Sequence, residues 1–372
     1  MARYSVILGD AFGARLADAS NFLSLSYTRV VNDIGSLTLV LPGDYNMQNV
    51  RAPDGRIEVW RRLSTSREYL ETDAVWLIKK VVQNIDARGA KTIVIEAVTP
   101  LHLLREPGRF VNYAAGSAQA SYSAAAADDQ IKSVARQNIG TSATGARNIA
   151  AYITVDPSTS QAASIAKSFA WRDCLKVMQE FADASTQAGT YCAFDIIANA
   201  PDALSFTTFV QQRGVDHRFP GGNNPVLLSS EMGNLGEVAL TQDWSEEVTY
   251  ALAGGQGEES SRLTASSQDT ARQALSPFGL RELFVDATQY SSTTGLSSEA
   301  AAAVRRGRPR RVFKGRVLDT PDTQYGVHWA WGDFVTAHAF DQLIDCRIEA
   351  VTVTVQSGSS YEDIDAWLKA DA

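Results

Sequence analysis

Two stretches at opposite ends of the chain alternate apolar and polar side chains with a period of two. Leu37, Leu39 and Leu41 share one face of a segment that stops at Pro42-Gly43-Asp44, and Val351, Val353 and Val355 oppose Thr352 and Thr354. That spacing belongs to a strand with one face buried, so both ends of the chain must lie in sheets. Turn residues divide the intervening sequence of the first hundred residues. Asp54-Gly55 feeds Ile57-Glu58-Val59-Trp60, and the segments 75–82 and 91–98 flank Asp86-Ala87-Arg88-Gly89 as a hairpin. Short strands at this spacing suit a small antiparallel barrel over residues 1–104.

The pattern changes after Pro100, and residues 105–218 read as a mixed α+β domain. Leu101 to Arg105 suits a helical turn, and the Ser/Ala/Gly/Tyr-rich stretch from Asn112 to Ala127 reads as a mobile loop. Asp128 is expected to cap a helix whose Ile131, Val134 and Ala135 form an apolar stripe. The clearest helix runs from about Ala170 to Ala184. There Trp171, Cys174, Leu175, Met178, Phe181 and Ala182 fall on one face, and Gly189 provides a stop. The segments 191–197 and 204–210 then flank Asn199-Ala200-Pro201-Asp202 as a second hairpin.

Strand patterns return over 219–356, which reads as a second β-barrel domain with a helix-containing insert. Its strands are expected at 237–241, 247–253, 312–318, 333–337 and 346–355, with an Ala-rich helix at 296–304 and a polar loop at about 256–274. Residues 357–372 form a short amphipathic tail suited to docking on a partner or on the chain's own barrel. The fold class is therefore mainly β with an α+β middle region: two small antiparallel β-barrel domains plus inserted mixed segments. No fixed-period repeat is present, which argues against solenoids and propellers.

With 45% apolar and 20% charged residues, the 372-residue chain has the mix of a globular protein. No secretory signal is expected at its start, and no run approaches the roughly 18 apolar residues of a membrane span, so no stable membrane insertion is expected. Cys174, Cys192 and Cys346 are widely spaced and odd in number, a pattern of reduced, buried thiols. The formal charge of −8 argues against a dedicated nucleic-acid binder, since phosphate neutralisation supplies most of that affinity. An acidic wall past which nucleic acid slides remains compatible with it.

Catalytic signatures are absent, and no cofactor, metal or catalytic residue is assigned. His102, His217, His328 and His338 are scattered, with no His-Glu-x-x-His, no Cys-x-x-Cys and no Gly-x-Ser-x-Gly. His328 and His338, in neighbouring expected strands, lack a third ligand. Gly254-Gly255-Gln256-Gly257 follows a strand as a phosphate loop does, but Glu258 and Glu259 come next and would repel an anion. A tight turn is the better reading. Carboxylate pairs such as Asp128-Asp129 and Glu246-Glu247 arise by chance among 42 acidic residues. Tyr113, Tyr122, Trp329 and Trp331 would serve a carbohydrate- or receptor-binding surface if exposed; Trp329 and Trp331 share one strand face, which favours a core or interface pair. The sharpest charge feature is Arg305-Arg306-Gly307-Arg308-Pro309-Arg310-Arg311, either a solvated link between helix and strand or a contact with an acidic partner or nucleic acid. Arg305, Arg306, Arg308, Arg310 and Arg311 are the candidate subunit or channel contacts.

Several stretches together resemble the hub proteins of long-tailed phages, the siphovirus Gp37-like family, similar to contractile-tail baseplate hubs. The opening Tyr27-Thr28-Arg29-Val30-Val31-Asn32-Asp33-Ile34-Gly35-Ser36-Leu37 is similar to the family's early strand pair, and Gly55 to Arg61 to its next strand. Thr99 to Leu104 resembles the segment leaving the first barrel, where an acidic residue and a double Arg are commoner. Ile131 to Val134 with Asn138 and Arg147, the helix Arg172 to Ala184, and Arg213-Gly214-Val215-Asp216-His217-Arg218 resemble its middle section. Gly233-Asn234-Leu235, the strand into Gly254-Gly255-Gln256-Gly257, and Tyr325-Gly326-Val327 with Trp331-Gly332-Asp333-Phe334-Val335 resemble its last part. The resemblance implies a structural, non-enzymatic homotrimer whose two barrels per subunit ring a DNA channel and join the tail tube to the host-attachment apparatus. The implied partners are the distal tail or tube protein, the tape-measure protein, fibre or receptor-binding proteins, and passing DNA held without sequence preference. The implied place is the virion's tail tip, after assembly in the bacterial cytoplasm. A tail-associated cell-wall hydrolase or a receptor- or carbohydrate-binding tail protein is the alternative.

Overall fold

The computed structural model describes residues 3–46, 48, 53–63, 68–111, 120–200, 202–288, 290–357 and 362–370. Along the chain come β1 (Arg3–Gly9), β2 (Arg15–Asp18), β3 (Ser24–Val30), β4 (Ser36–Pro42), β5 (Arg56–Arg62), β6 (Tyr69–Ile85) and β7 (Lys91–Val98). The middle holds β8 (Ala120–Ala126), α1 (Ala127–Asn138), β9 (Ile153–Val155), β10 (Ser164–Phe169), α2 (Cys174–Gln187), β11 (Cys192–Ala200) and β12 (Ala203–Val210). Then follow β13 (Leu227–Ser229), β14 (Leu235–Asp243), β15 (Tyr250–Gly254), β16 (Thr264–Gln268), α3 (Thr270–Gln273), β17 (Glu282–Asp286) and α4 (Thr293–Arg306). The chain closes with β18 (Arg310–Val317), β19 (Phe334–Ala339), β20 (Gln342–Gln356) and β21 (Glu362–Ala370). The mainly β class with an α+β middle is as the sequence reads.

Two compact units result. The larger holds Met1–Thr186, Thr190–Val238 and Lys314–Asp371; the smaller is essentially Ala239–Phe313. In the larger unit the strands expected to make two separate barrels join in one 13-stranded sheet, ordered β14-β18-β21-β20-β3-β4-β7-β6-β5-β1-β2, with β19 on β20 and β13 on β19. The seam is the antiparallel pair β3–β20, in register Tyr27↔Val353. Here the alternation explains itself. Leu25, Tyr27, Val351 and Val353 are buried, while on the opposite face Ser26 meets Thr354 and Thr28 meets Thr352, each hydroxyl pair 2.9 Å apart. Hydroxyl pairs of this kind add to cross-strand pairing. The residues expected to form a tail at 357–372 instead carry β21, which pairs with β20 and β18, so the amphipathic segment docks on its own sheet.

The middle region packs α1 and α2 on a three-stranded sheet β11-β12-β9 and on the pair β8–β10. Ile131, Val134 and Ala135 are wholly buried, and Phe181 sets its ring edge-on to Tyr122 and Phe169, each at 5.5 Å. Four local expectations change. The loop expected from Asn112 to Ala127 is strand β8 over its second half, because Tyr122 buries its ring and Ser121 to Ala126 pair with β10; residues 112–119, Tyr113 included, lie outside the described residues. Asp128 is no cap: it sits buried in the first turn of α1, and its carboxylate accepts from Thr159 Oγ1 at 2.6 Å and the Ala162 N–H at 3.0 Å. Trp171 lies before α2 with φ +52° and is 73% exposed, so it is absent from the helix's buried face. The polar stretch 256–274 contains β16 and α3.

The smaller unit is a three-stranded sheet, β16-β15-β17, with α4 on one face. Its core is slight: Ala251, Ala253, Ala287, Leu296, Ala300, Ala303 and Val304. The Ala-rich sequence makes this possible, since small side chains let helix and sheet approach closely. Ser292 caps α4 by accepting from the Gly295 N–H at 3.4 Å.

Candidate assembly surfaces

The arginine run straddles the end of α4. Arg305 and Arg306 close the helix, Gly307 caps it by donating its N–H to Ala303 O and Arg305 O, and Arg310 and Arg311 open β18. The connector is thus only Gly307-Arg308-Pro309, and Pro309, which has no N–H to donate, lies between helix and strand. Arg306 pairs with Glu299 of its own helix at 2.9 Å, Arg305 is half-buried and Arg308 is exposed. The side chains of Arg310 and Arg311 lie outside the described set.

Beside this helix end, within the smaller unit, a half-open cleft of about 480 Å³ runs along β17. Its lining includes Leu283, Phe284 and Val285 of β17 and Ala303, Arg306 and Arg308 from the helix end. It is not legible in the sequence, because its walls meet only through the fold.

The larger unit carries a different kind of cluster, and three of the stretches that carry the family resemblance converge on it. Arg29 of β3 is buried against Asp195 of β11, whose Oδ2 also accepts from Arg213 Nη2 at 3.1 Å. The ring of Trp331 lies by both guanidiniums, 3.7 Å from Arg213 and 4.3 Å from Arg29. Burial pushes the Arg29 guanidinium below its ordinary pKa, against the opposing pull of Asp195. Next to it, Asp333 Oδ1 accepts the Val215 N–H at 2.7 Å and Oδ2 accepts the Ala330 N–H at 2.6 Å. A side chain at Gly214 would place its Cβ 2.1 Å from Asp333 Oδ1. In the fold these residues knot β3, β11 and the loop before β19 together. A second buried network joins Arg61 to Glu362 at 2.6 Å and sets the Tyr325 hydroxyl to donate to Glu71 at 2.5 Å.

Trp329, Trp331 and Tyr122 are buried, so these three of the four aromatics considered for a receptor surface are interior residues, and Tyr113 lies outside the described residues. His328 Nδ1 accepts the Gln324 N–H at 2.8 Å. Among the described residues no group of three His, Cys, Asp or Glu could hold a metal ion, and no helix is long and apolar enough to cross a membrane. Gly254 to Gly257 leave the sheet in a turn with Gly257 at φ +107°, followed by the short helical turn Glu259–Ser261. Cys174, Cys192 and Cys346 are buried thiols outside any disulfide, and burial pushes the first two up to about 12.

The fold is that of a class of phage tail proteins, met over the whole length of the chain. The 43 kDa tail protein of prophage MuSo2 from Shewanella oneidensis superposes with a TM-score of 0.54 at 11% identity, covering 98% of both chains. The prophage tail protein gp18 from Listeria monocytogenes gives 0.52 at 11%, covering 98% of this chain and 94% of that one. The tail protein from Neisseria meningitidis gives 0.52 at 10%, covering 99% and 96%. At such identities the likeness is one of fold. Residues 7–366 match the model of the Siphovirus ReqiPepy6 Gp37-like proteins, and the chain belongs to that family. No curated protein matches it in sequence.

Proposed function

We propose that this chain is a structural subunit of a phage tail, acting as the hub through which the tail tube joins the host-attachment apparatus. The observation that carries the reading is the family match over residues 7–366, supported by a fold shared end to end with three tail proteins. In this reading three copies form a ring around the DNA path at the tail tip. The net charge of −8 suits a wall past which DNA slides, because like charges do not hold a polyanion. Arg305, Arg306, Arg308, Arg310 and Arg311 contact acidic groups on a neighbouring subunit or tail protein, where guanidiniums form paired hydrogen bonds with carboxylates. The partners are the tube, tape-measure and fibre or receptor-binding proteins.

The subunit works by fit and not by turnover. Its polar clusters are buried and occupied with one another, as the pairing of Asp195 with two arginines illustrates. Sedimentation of the purified full chain tests the ring: mass at three subunits is expected, and a strictly monomeric protein at high micromolar concentration would count against it. Digestion of purified peptidoglycan by the same preparation, abolished by one carboxylate substitution, would restore the hydrolase reading.

A further inference from the structure

The cleft of the smaller unit has one wall made of exposed strand edge. Among the described residues β17 ends its sheet and pairs on one side only, with β15, in parallel register Leu252↔Phe284. The Ala287 N–H bonds Gly254 O at 2.8 Å, so by the alternation of a strand the amides of Val285 and Leu283 also face β15. The amides and carbonyls of Phe284 and Asp286 therefore face the open side. Natural sheets cover, shorten or charge such edges, since a bare edge is a template for another strand. Here Leu283 and Phe284 are 41% and 53% exposed along it.

The opposite wall comes from α4. The helix follows β17 through a short connection and runs back, and its end is fixed where the Val248 N–H bonds Gly307 O at 2.7 Å. This returns Arg306 and Arg308 to the start of β17. The approach to β17 carries Leu275 and Phe278, 84% and 82% exposed, a density of bare apolar side chains that marks contact surfaces.

We infer that this cleft is a strand-addition site. It takes an extended segment of a partner polypeptide that hydrogen-bonds to the free edge of β17, packs apolar side chains between β17 and α4, and sets a carboxylate against Arg306 and Arg308. Backbone pairing gives affinity in this mode, and the side-chain pockets give specificity. The cleft's size lies within the range of ordinary binding sites. Asp243, Glu246 and Asp286 also border it, and Arg306 is shared with Glu299, which selects a segment with a single acidic residue over a uniformly acidic one. The inference stands on the smaller unit alone and does not depend on the hub reading.

The test uses the full chain and three blocked hexapeptides: Asp-Thr-Val-Thr-Val-Thr, the same with Lys first, and the Asp peptide N-methylated at alternate residues. The Asp peptide should slow amide exchange at Phe284 and Asp286 and bind at least tenfold tighter than either relative. The double variant R306E/R308E should reverse the preference, favouring the Lys peptide, a gain that a misfolded protein cannot produce. Equal binding of the N-methylated peptide, or unchanged exchange at Phe284 and Asp286 under saturating peptide, would overturn the site. So would no binding at millimolar concentration. A monomeric protein that binds in this way would sink the hub ring and leave the cleft standing.

Discussion

Asp195 is shared by two buried guanidiniums, and Asp195→Ala therefore removes more than a single contact. In the wild type its Oδ2 accepts from both Arg29 and Arg213, while Arg29 Nε and Nη1 are buried without a hydrogen-bond partner. Truncation leaves two buried cations without the carboxylate they share. Removing one partner of a buried ion pair typically costs about 3–5 kcal/mol. Stacking on Trp331 is present in both proteins and drops out of the difference. A loss of about 3 kcal/mol is expected, and for a unit of this size each kcal/mol lowers Tm by roughly 2–4 °C, so the melting point should fall by about 10 °C. Thermal denaturation followed by circular dichroism measures it. The double variant Arg29→Met with Asp195→Asn should recover more than half of the loss, since it removes one cation and leaves Arg213 an amide oxygen. A fall of less than 2 °C for Asp195→Ala, or a double variant worse than the single, would refute the assignment of this cluster as the joint between β3 and β11.

Glu71 is fully buried, and burial raises its carboxyl pKa above the ordinary value, so the folded chain holds a proton that the unfolded chain releases. Its contribution is favourable below the unfolded pKa of about 4.3 and is lost as pH rises through the folded value; Glu71→Gln should flatten the fall in urea-unfolding stability above about pH 4. Arg306→Ala with Arg308→Ala should change stability by no more than about 0.5 kcal/mol, because both side chains are exposed, yet weaken association in sedimentation, with the difference from wild type shrinking at high salt. None of the three thiols should react with an aromatic disulfide reagent until urea unfolds the protein, since all are buried. Gly214→Ala should lower the melting temperature, because its Cβ has no room beside Asp333 and the Gly332 backbone.

Periodicity made legible what is decided locally. The stripe of Ile131, Val134 and Ala135 and the stop at Gly189, which adopts φ +91°, follow from neighbours a few residues apart. The seam between β3 and β20 does not, because it joins residues more than three hundred positions apart, and each strand's alternation fits equally a separate barrel. Strand β8 was hidden because its Ala/Ser composition is set by what the facing β10 tolerates. Nothing in the sequence pairs Arg29, Asp195 and Arg213, which only the fold brings together. The arginine run was visible as charge, whereas the cleft beside it depends on α4 returning along β17.

The most direct test is the position of this chain in a tail-bearing particle, read from a cryo-electron-microscopy map at a resolution that resolves strands. The account predicts three copies in a ring at the tail tip, around the channel, with β17 of the smaller unit carrying an added strand from a neighbouring protein. Density for the chain away from the tail, or mature particles that contain none of it, would contradict it.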